Sequence, residues 1–273
     1  MHPILFRIGP FTLHTYGALL AAAVLCALWL ARRHAIEDGL DGDRIWNLGV
    51  YGVLSGLVVA KVWLVLAMWD YFSANPREIF ALSTLQSGGT FYGGVLGAVV
   101  LIILYARYWK LPFLPLADAY APCAALGASL GRLGCFSAGC CYGKPTSVPW
   151  GITFTSEYAH ELVGTPLNVR LHPTELYDSF AAVGILLILL WMRRGKRFPG
   201  QLWAAFMFLY GLMRFTTEFF RGDPGRTELF GGAFSLMQVV SVGLMIAGVW
   251  LWRRGRAQSL AHVAPAQAKR RTV

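Results

Sequence analysis

Seven apolar stretches, each close to the roughly 20 residues that a helix needs to cross a hydrocarbon layer about 30 Å thick, constrain this chain more than any motif in it. They run approximately over residues 13–31, 46–69, 88–108, 114–135, 176–192, 200–220 and 234–252. Inside lipid every backbone N–H and C=O must find a partner within the protein, so stretches of this length are expected to be helices. Hydrophobic residues make up 56% of the chain and charged residues 14%, against roughly a quarter charged in soluble domains. Mean hydropathy is +0.51. The expected fold class is therefore an all-α integral membrane protein of seven transmembrane helices with a short external arm. The transmembrane domain is expected over residues 1–252, the external loop region over about 136–175, and a disordered basic cytoplasmic tail over 253–273. The N-terminus MHPILFRIGPF carries no cleavable signal pattern, so the first span is expected to stay.

A net charge of +10 raises the question of nucleic acid, but the basic residues collect in short connections between apolar stretches, which is a membrane-surface pattern. Fifteen follow the first, third, fifth and seventh stretches: Arg32, Arg33, Arg44, Arg107, Lys110, Arg193, Arg194, Lys196, Arg197, Arg253, Arg254, Arg256, Lys269, Arg270 and Arg271. Six lie on the opposite side: Arg7, Arg77, Lys144, Arg170, Arg221 and Arg226. The excess of Lys and Arg marks the cytoplasmic side, which places the C-terminus inside and the N-terminus outside. Contacts with membrane lipids are expected, and none with nucleic acid.

Charges at bilayer depth are costly and are usually paired or functional. Lys61, Asp118, Arg132, Arg214 and Glu218 are the candidates. Arg214 and Glu218 stand at i and i+4, so they share a helix face, and a carboxylate there would keep the guanidinium aimed at a second anion such as a lipid phosphate. Arg132 sits in GASLGRLGCFSAGCCYG among small neighbours that let backbone or ligand approach closely. A second glycine-dense run, SGGTFYGGVLG, puts Tyr92 beside Gly93 and Gly94 on the external side, where an interfacial belt tyrosine is the competing role.

The stretch RLHPTELYDS brings His172, Glu175, Tyr177 and Asp178 together at the external interface. His172 is a candidate base, because imidazole titrates near neutrality, or alternatively a hydrogen-bond anchor. Cys26 and Cys123 lie in apolar runs and are expected to pack. Cys135, Cys140 and Cys141 are spaced CxxxxCC, unlike paired structural zinc sites, with only His160 or His172 to complete a ligand set. No metal and no cofactor are expected. Free thiols are the expectation, with a disulfide from Cys135 to Cys140 or Cys141 as the alternative.

GRLGCFSAGCCYGKPT followed by PWG, HPTELYDS, YGLMRFTTEFFRGDP, SLMQVVS, SGGTFYGG and the early HTYG resemble, in order, the blocks of the bacterial prolipoprotein diacylglyceryl transferases. The resemblance covers nearly the whole chain. It implies a seven-span enzyme of the inner (cytoplasmic) membrane that moves the diacylglyceryl group of phosphatidylglycerol onto the lipobox cysteine of prolipoprotein signal peptides and releases glycerol phosphate. It also implies that Arg132, Tyr16, Tyr210, Arg214, Glu218 and Arg221 match motif positions. Cys135 and Ala138 stand where the family commonly has asparagines, Cys140 where it has a glutamate, Tyr92 where many members have a histidine, and Lys61 where an arginine is usual. These departures weaken a histidine base.

The catalytic group expected from sequence is Arg132, Arg214, Glu218, Tyr92 and His172. Arg132 and Arg214, with Tyr16, Tyr210, Arg221, Gly93 and Gly94, are expected to bind the lipid. A membrane lipid transporter, or a divergent member without the transfer activity, is the alternative, and the chain has no inverted repeat of the kind transporters carry.

Overall fold

The computed structural model describes residues 4–8, 11–81, 84, 89–223, 227–229 and 234–270. In chain order the elements are β1 (Ile4–Ile8), β2 (Phe11–His14), α1 (Thr15–Glu37), α2 (Gly42–Ala67), α3 (Trp69–Ala74) and a 3-10 turn (Pro76–Phe80). They continue with α4 (Phe91–Tyr108), α5 (Phe113–Ala138), β3 (Ile152–Thr153), α6 (Glu157–Val163), β4 (Arg170–Leu171), α7 (Thr174–Arg193) and α8 (Gln201–Glu218). The chain ends in β5 (Glu228–Leu229), β6 (Phe234–Ser235) and α9 (Leu236–Arg270). Three antiparallel pairs, β1–β2, β3–β4 and β5–β6, are small additions to a helical protein.

Each of the seven apolar stretches forms a long helix: α1, α2, α4, α5, α7, α8 and α9. Among the described residues five are long and apolar enough to cross a membrane, namely α1, α2, α5, α7 and Leu236–Ser259 of α9; Gly93–Tyr108 is a shorter apolar helix. Leu57, Val58, Leu104 and Ile246 point outward, as lipid-facing side chains do. The protein is a multi-pass membrane protein. The α9 backbone is helical through Arg270, so the helix continues into the basic end where the sequence predicts a disordered tail.

The chain divides into two compact units, residues 31–116 and residues 1–30 with 117–273. In the first of these, α2 and α4 pack through small residues. A Cβ at Gly97 would lie 2.6 Å from Val59, and one at Gly93 would lie 2.7 Å from Trp63, so these glycines admit the neighbouring helix. Ser55 Oγ donates to the Gly97 carbonyl at 3.0 Å. Asp41 caps α2 by accepting from the Asp43 and Arg44 amides. Lys61 donates to the Thr84 carbonyl, which gives this intramembrane charge a local partner.

The second unit centres on α5, α7, α8 and α9. Ala121, Ala125, Ala182, Ile185, Leu189, Leu202, Ala205 and Met213 form its buried apolar core. Helices α8 and α9 approach closely at Gly211 and Gly248, where an added Cβ would lie 2.7 Å from the Ser241 and Ala204 carbonyls respectively. Asp118 of α5 is fully buried and accepts the amides of Gly200, Leu202 and Trp203 at 2.7, 2.9 and 3.0 Å, with Lys196 Nζ at 3.7 Å. It satisfies the orphan donors at the start of α8, a capping role played from another helix.

Residues 139–173 form a folded arm rather than a bare loop. Tyr142, Phe154 and Leu171 make its own small core. Gly143 and Lys144 bond to the His172 and Phe220 carbonyls, tying the arm to the entry of α7 and the exit of α8.

Candidate active site

Small polar residues set the register of α5 against α7. The hydroxyls of Ser129 and Ser179 meet at 3.1 Å, and Ser179 Oγ donates to the Ser129 carbonyl at 3.1 Å. Arg132 stands one turn beyond Ser129, and Asp178 directly precedes Ser179. Their ion pair, Arg132 Nε to Asp178 Oδ2 at 3.1 Å, follows from that register.

The same Oδ2 accepts from Arg214 Nη1 at 2.6 Å, and Arg214 Nη2 meets Glu218 Oε2 at 3.4 Å. Two guanidiniums from α5 and α8 are thus joined through one carboxylate of α7, with Glu218 as the second anion. Asp178 and Glu218 are almost wholly buried, whereas the Arg132 side chain is 20% exposed. The two Nη groups of Arg132 make no hydrogen bond among the described residues, so its fork is the side of this cluster available to an incoming anion. Arg221, just past α8, is gripped bidentately by Asp223 at 2.8 and 2.8 Å. Burial opposes the Arg221 charge, but the Asp223 fork outweighs it and raises its pKa above the ordinary value, so the guanidinium stays charged.

Cys135, at the end of α5, and Cys140 and Cys141, just beyond it, are reduced, and their Sγ atoms all lie within 4.8 Å of one another. Contacts with the Cys135 and Cys140 sulfurs, aided by the charges of Arg132 and Arg221, pull Cys141 below the ordinary thiol value; contacts with Cys135 and Cys141, together with burial, push Cys140 up. Cys141 has φ +68°, a left-handed conformation unusual outside glycine. Gly139 at φ +82° starts the turn, and Thr174 Oγ1 holds the Cys141 carbonyl at 2.8 Å.

Tyr16 packs its ring against Gly134, where a Cβ would lie 2.9 Å from Tyr16 Cδ2, in the electrostatic surroundings of Arg132 and the three cysteines. Tyr210 instead stacks on Phe206 at 5.4 Å between centroids and packs against the apolar core. His172 Nδ1 meets Tyr177 Oη at 3.1 Å, and Trp150 Nε1 donates to the same oxygen at 2.7 Å, so the imidazole belongs to the network that pins the arm. Gly93 and Gly94 lie in α4 against α2. Tyr92 is in the first turn of α4, and its side chain lies outside the described residues.

Two carboxylates in this region, Asp178 and Glu175, are named by the sequence within RLHPTELYDS but are given no role by it. Asp178 is the shared partner of both arginines, and its Oδ1 has no hydrogen bond among the described residues. Glu175 is fully buried, and neither of its carboxylate oxygens has a hydrogen-bond partner among the described residues. The available signal was the presence of two acids in the first turns of an apolar span.

The family profile described as "Prolipoprotein diacylglyceryl transferase" matches residues 3–254 of this chain. A Clostridium tetani protein named phosphatidylglycerol–prolipoprotein diacylglyceryl transferase is 32% identical over 258 residues, covering 94% of this chain and 98% of that protein. Proteins of the same name from Pectobacterium atrosepticum and Vibrio cholerae are 32% and 33% identical, each covering 94% of this chain, with 95% and 93% of their own lengths matched.

Proposed function

The chain belongs to the prolipoprotein diacylglyceryl transferase family, and from that premise we propose that it moves the diacylglyceryl group of phosphatidylglycerol onto the lipobox cysteine of a prolipoprotein signal peptide. The relatives' names supply the lipid donor and the protein acceptor. A thioether forms and glycerol phosphate leaves. The observation that carries the reading is the pair Arg132 and Arg214 joined on Asp178 Oδ2 at 3.1 and 2.6 Å.

The acceptor thiolate attacks the glycerol carbon that bears the phosphate ester. The new C–S bond forms as the C–O bond breaks, and the electron pair ends on the departing phosphate oxygen. Charge builds where the Nη groups of Arg132 lie, and fixed guanidiniums stabilise it there without reorganising. Glu218 and Asp178 orient Arg214, and Arg221, braced by Asp223, adds positive charge for the headgroup. Tyr16 packs against Gly134, in the same helix as Arg132, and Tyr210, Gly93 and Gly94 are the sequence's further candidates for lipid contact. Tyr92 and His172 are the sequence's candidates to receive the thiol proton.

Seven helices span the bacterial inner membrane in this reading, with the N-terminus external and the C-terminus cytoplasmic, as the Lys and Arg bias supports. A transport reading has no repeat or broken-helix pair to support it.

The test uses purified protein, a synthetic lipobox peptide, and vesicles of phosphatidylglycerol or of phosphatidylethanolamine. Mass spectrometry is expected to find a diacylglyceryl adduct on the peptide cysteine with the first vesicles. A folded protein that yields no adduct from either lipid would refute the reading.

A further inference from the structure

We propose that Cys135, Cys140 and Cys141 form a zinc site whose open position takes the acceptor thiol. This rests on the transferase reading above for its substrate, though not for the metal.

Three Sγ atoms lie within 4.8 Å of one another, with Cys140 and Cys141 at 3.7 Å. Thiolates around a tetrahedral zinc, each bonded at about 2.3 Å, lie about 3.8 Å apart, so the cluster closes on an ion with small side-chain shifts. No other group of His, Cys, Asp or Glu among the described residues has ligand geometry. Thiolate sulfur is soft and suits zinc over magnesium or calcium. The left-handed backbone at Cys141 is strained for a non-glycine, and the Thr174 hydroxyl holds its carbonyl, while the next residue, Tyr142, accepts the Gly222 amide at 3.1 Å. Strain kept in place this way marks functional positions.

The fourth position is left to a ligand from outside the chain. Among the described residues no His, Asp or Glu ligand atom joins the three sulfurs in the group that closes within 4.8 Å. Three protein ligands with one open position is the pattern of catalytic zinc. Three thiolates and Zn²⁺ sum to one negative charge, which Arg132 and Arg221 in the same electrostatic neighbourhood balance.

An independent observation points to a missing partner here. Glu175 is fully buried with neither side-chain oxygen hydrogen-bonded to another group among the described residues, and it directly follows Thr174, whose hydroxyl holds the Cys141 carbonyl at 2.8 Å. A buried carboxylate in that state needs a proton or a cation. The acceptor thiol supplies the proton. On binding, the S–H bond breaks, the sulfur keeps the electron pair and bonds to zinc, and the proton passes to a Glu175 oxygen. Metal-bound thiols are deprotonated outright, so the nucleophile exists at neutral pH. The bound sulfur then attacks the glycerol carbon as above.

The test uses the full chain, purified under reducing conditions in detergent. Elemental analysis is expected to find about one zinc per chain. Cobalt added after stripping is expected to give a thiolate-to-metal charge-transfer band, lost in Cys140→Ser and Cys141→Ser. Stripping with a chelator is expected to lower transfer at least roughly tenfold, with zinc restoring it. Glu175→Gln is expected to keep the metal and the band while slowing transfer. Well below one zinc per chain with no cobalt band, or a mass lower by two hydrogens from a disulfide, in a chain that still transfers lipid would overturn the proposal and leave the transferase reading standing. Transfer unaffected by removing bound zinc would overturn the acceptor-thiol role. A fully zinc-loaded chain that makes no adduct would instead overturn the transferase reading and, with it, the acceptor-thiol role.

Discussion

Asp178 Oδ2 lies 2.6 Å from Arg214 Nη1, and it lies 3.1 Å from Arg132 Nε as well. A single carboxylate therefore sets the separation of two guanidiniums that come from different helices. Removing it leaves two like charges facing each other in a buried place. Asp178→Ala is expected to cost about 3–5 kcal/mol, read as a large drop in the melting temperature in detergent. Asp178→Asn keeps the shape and one acceptor oxygen, so it is expected to fold while losing most transfer. An Asn variant with unchanged turnover would contradict the role given to the bridge.

Asp118 carries a charge at bilayer depth but serves as the cap of α8. Asp118→Ala is expected to destabilise the protein by about 2 kcal/mol and to leave turnover per folded molecule unchanged. Paired thermal unfolding and initial-rate measurements check this. Lost turnover at an unchanged melting temperature would place Asp118 in the chemistry.

Gly143 lets the arm dock: a Cβ there would lie 2.5 Å from the His172 carbonyl and 2.8 Å from the Phe220 carbonyl. Both obstacles are backbone, so neither yields cheaply. Gly143→Ala is expected to cost about 1–3 kcal/mol and to speed hydrogen exchange over residues 139–173. Exchange equal to that of the parent chain would show that the arm does not depend on this contact.

Arg221 is held by both Asp223 oxygens, a geometry that a lysine cannot reproduce. Arg221→Lys is expected to raise KM for phosphatidylglycerol roughly tenfold, equivalent to about 1.4 kcal/mol, with a smaller effect on kcat. An unchanged KM would remove Arg221 from lipid binding.

The seven long helices and the Arg214–Glu218 pairing were legible because both depend on spacing along one helix. Apolar length reports a span, and i, i+4 reports a face. What passed unseen depends on which helix lies opposite which. Asp178 bridges two arginines 46 and 36 positions away, and Asp118 caps a helix that starts 83 positions later. Neither relationship leaves a local pattern. Gly93 invited close approach, and what approaches within its unit is α2. The CxxxxCC spacing read poorly as a metal pattern because the helix end at Ala138 and the left-handed turn at Cys141 fold the three thiols together, which a count of intervening residues does not convey.

The central claim is that the two arginines hold the leaving phosphate of a lipid donor. It is tested most directly by incubating wild-type, Arg132→Ala and Arg214→Ala proteins, each checked for folding, with phosphatidylglycerol and a lipobox peptide, and measuring the peptide mass. The account predicts a diacylglyceryl adduct with the wild type and a loss of at least roughly a hundredfold in rate with either folded variant, as for removal of one stabilising donor. Adduct formation by the Arg132→Ala protein at the wild-type rate would contradict it.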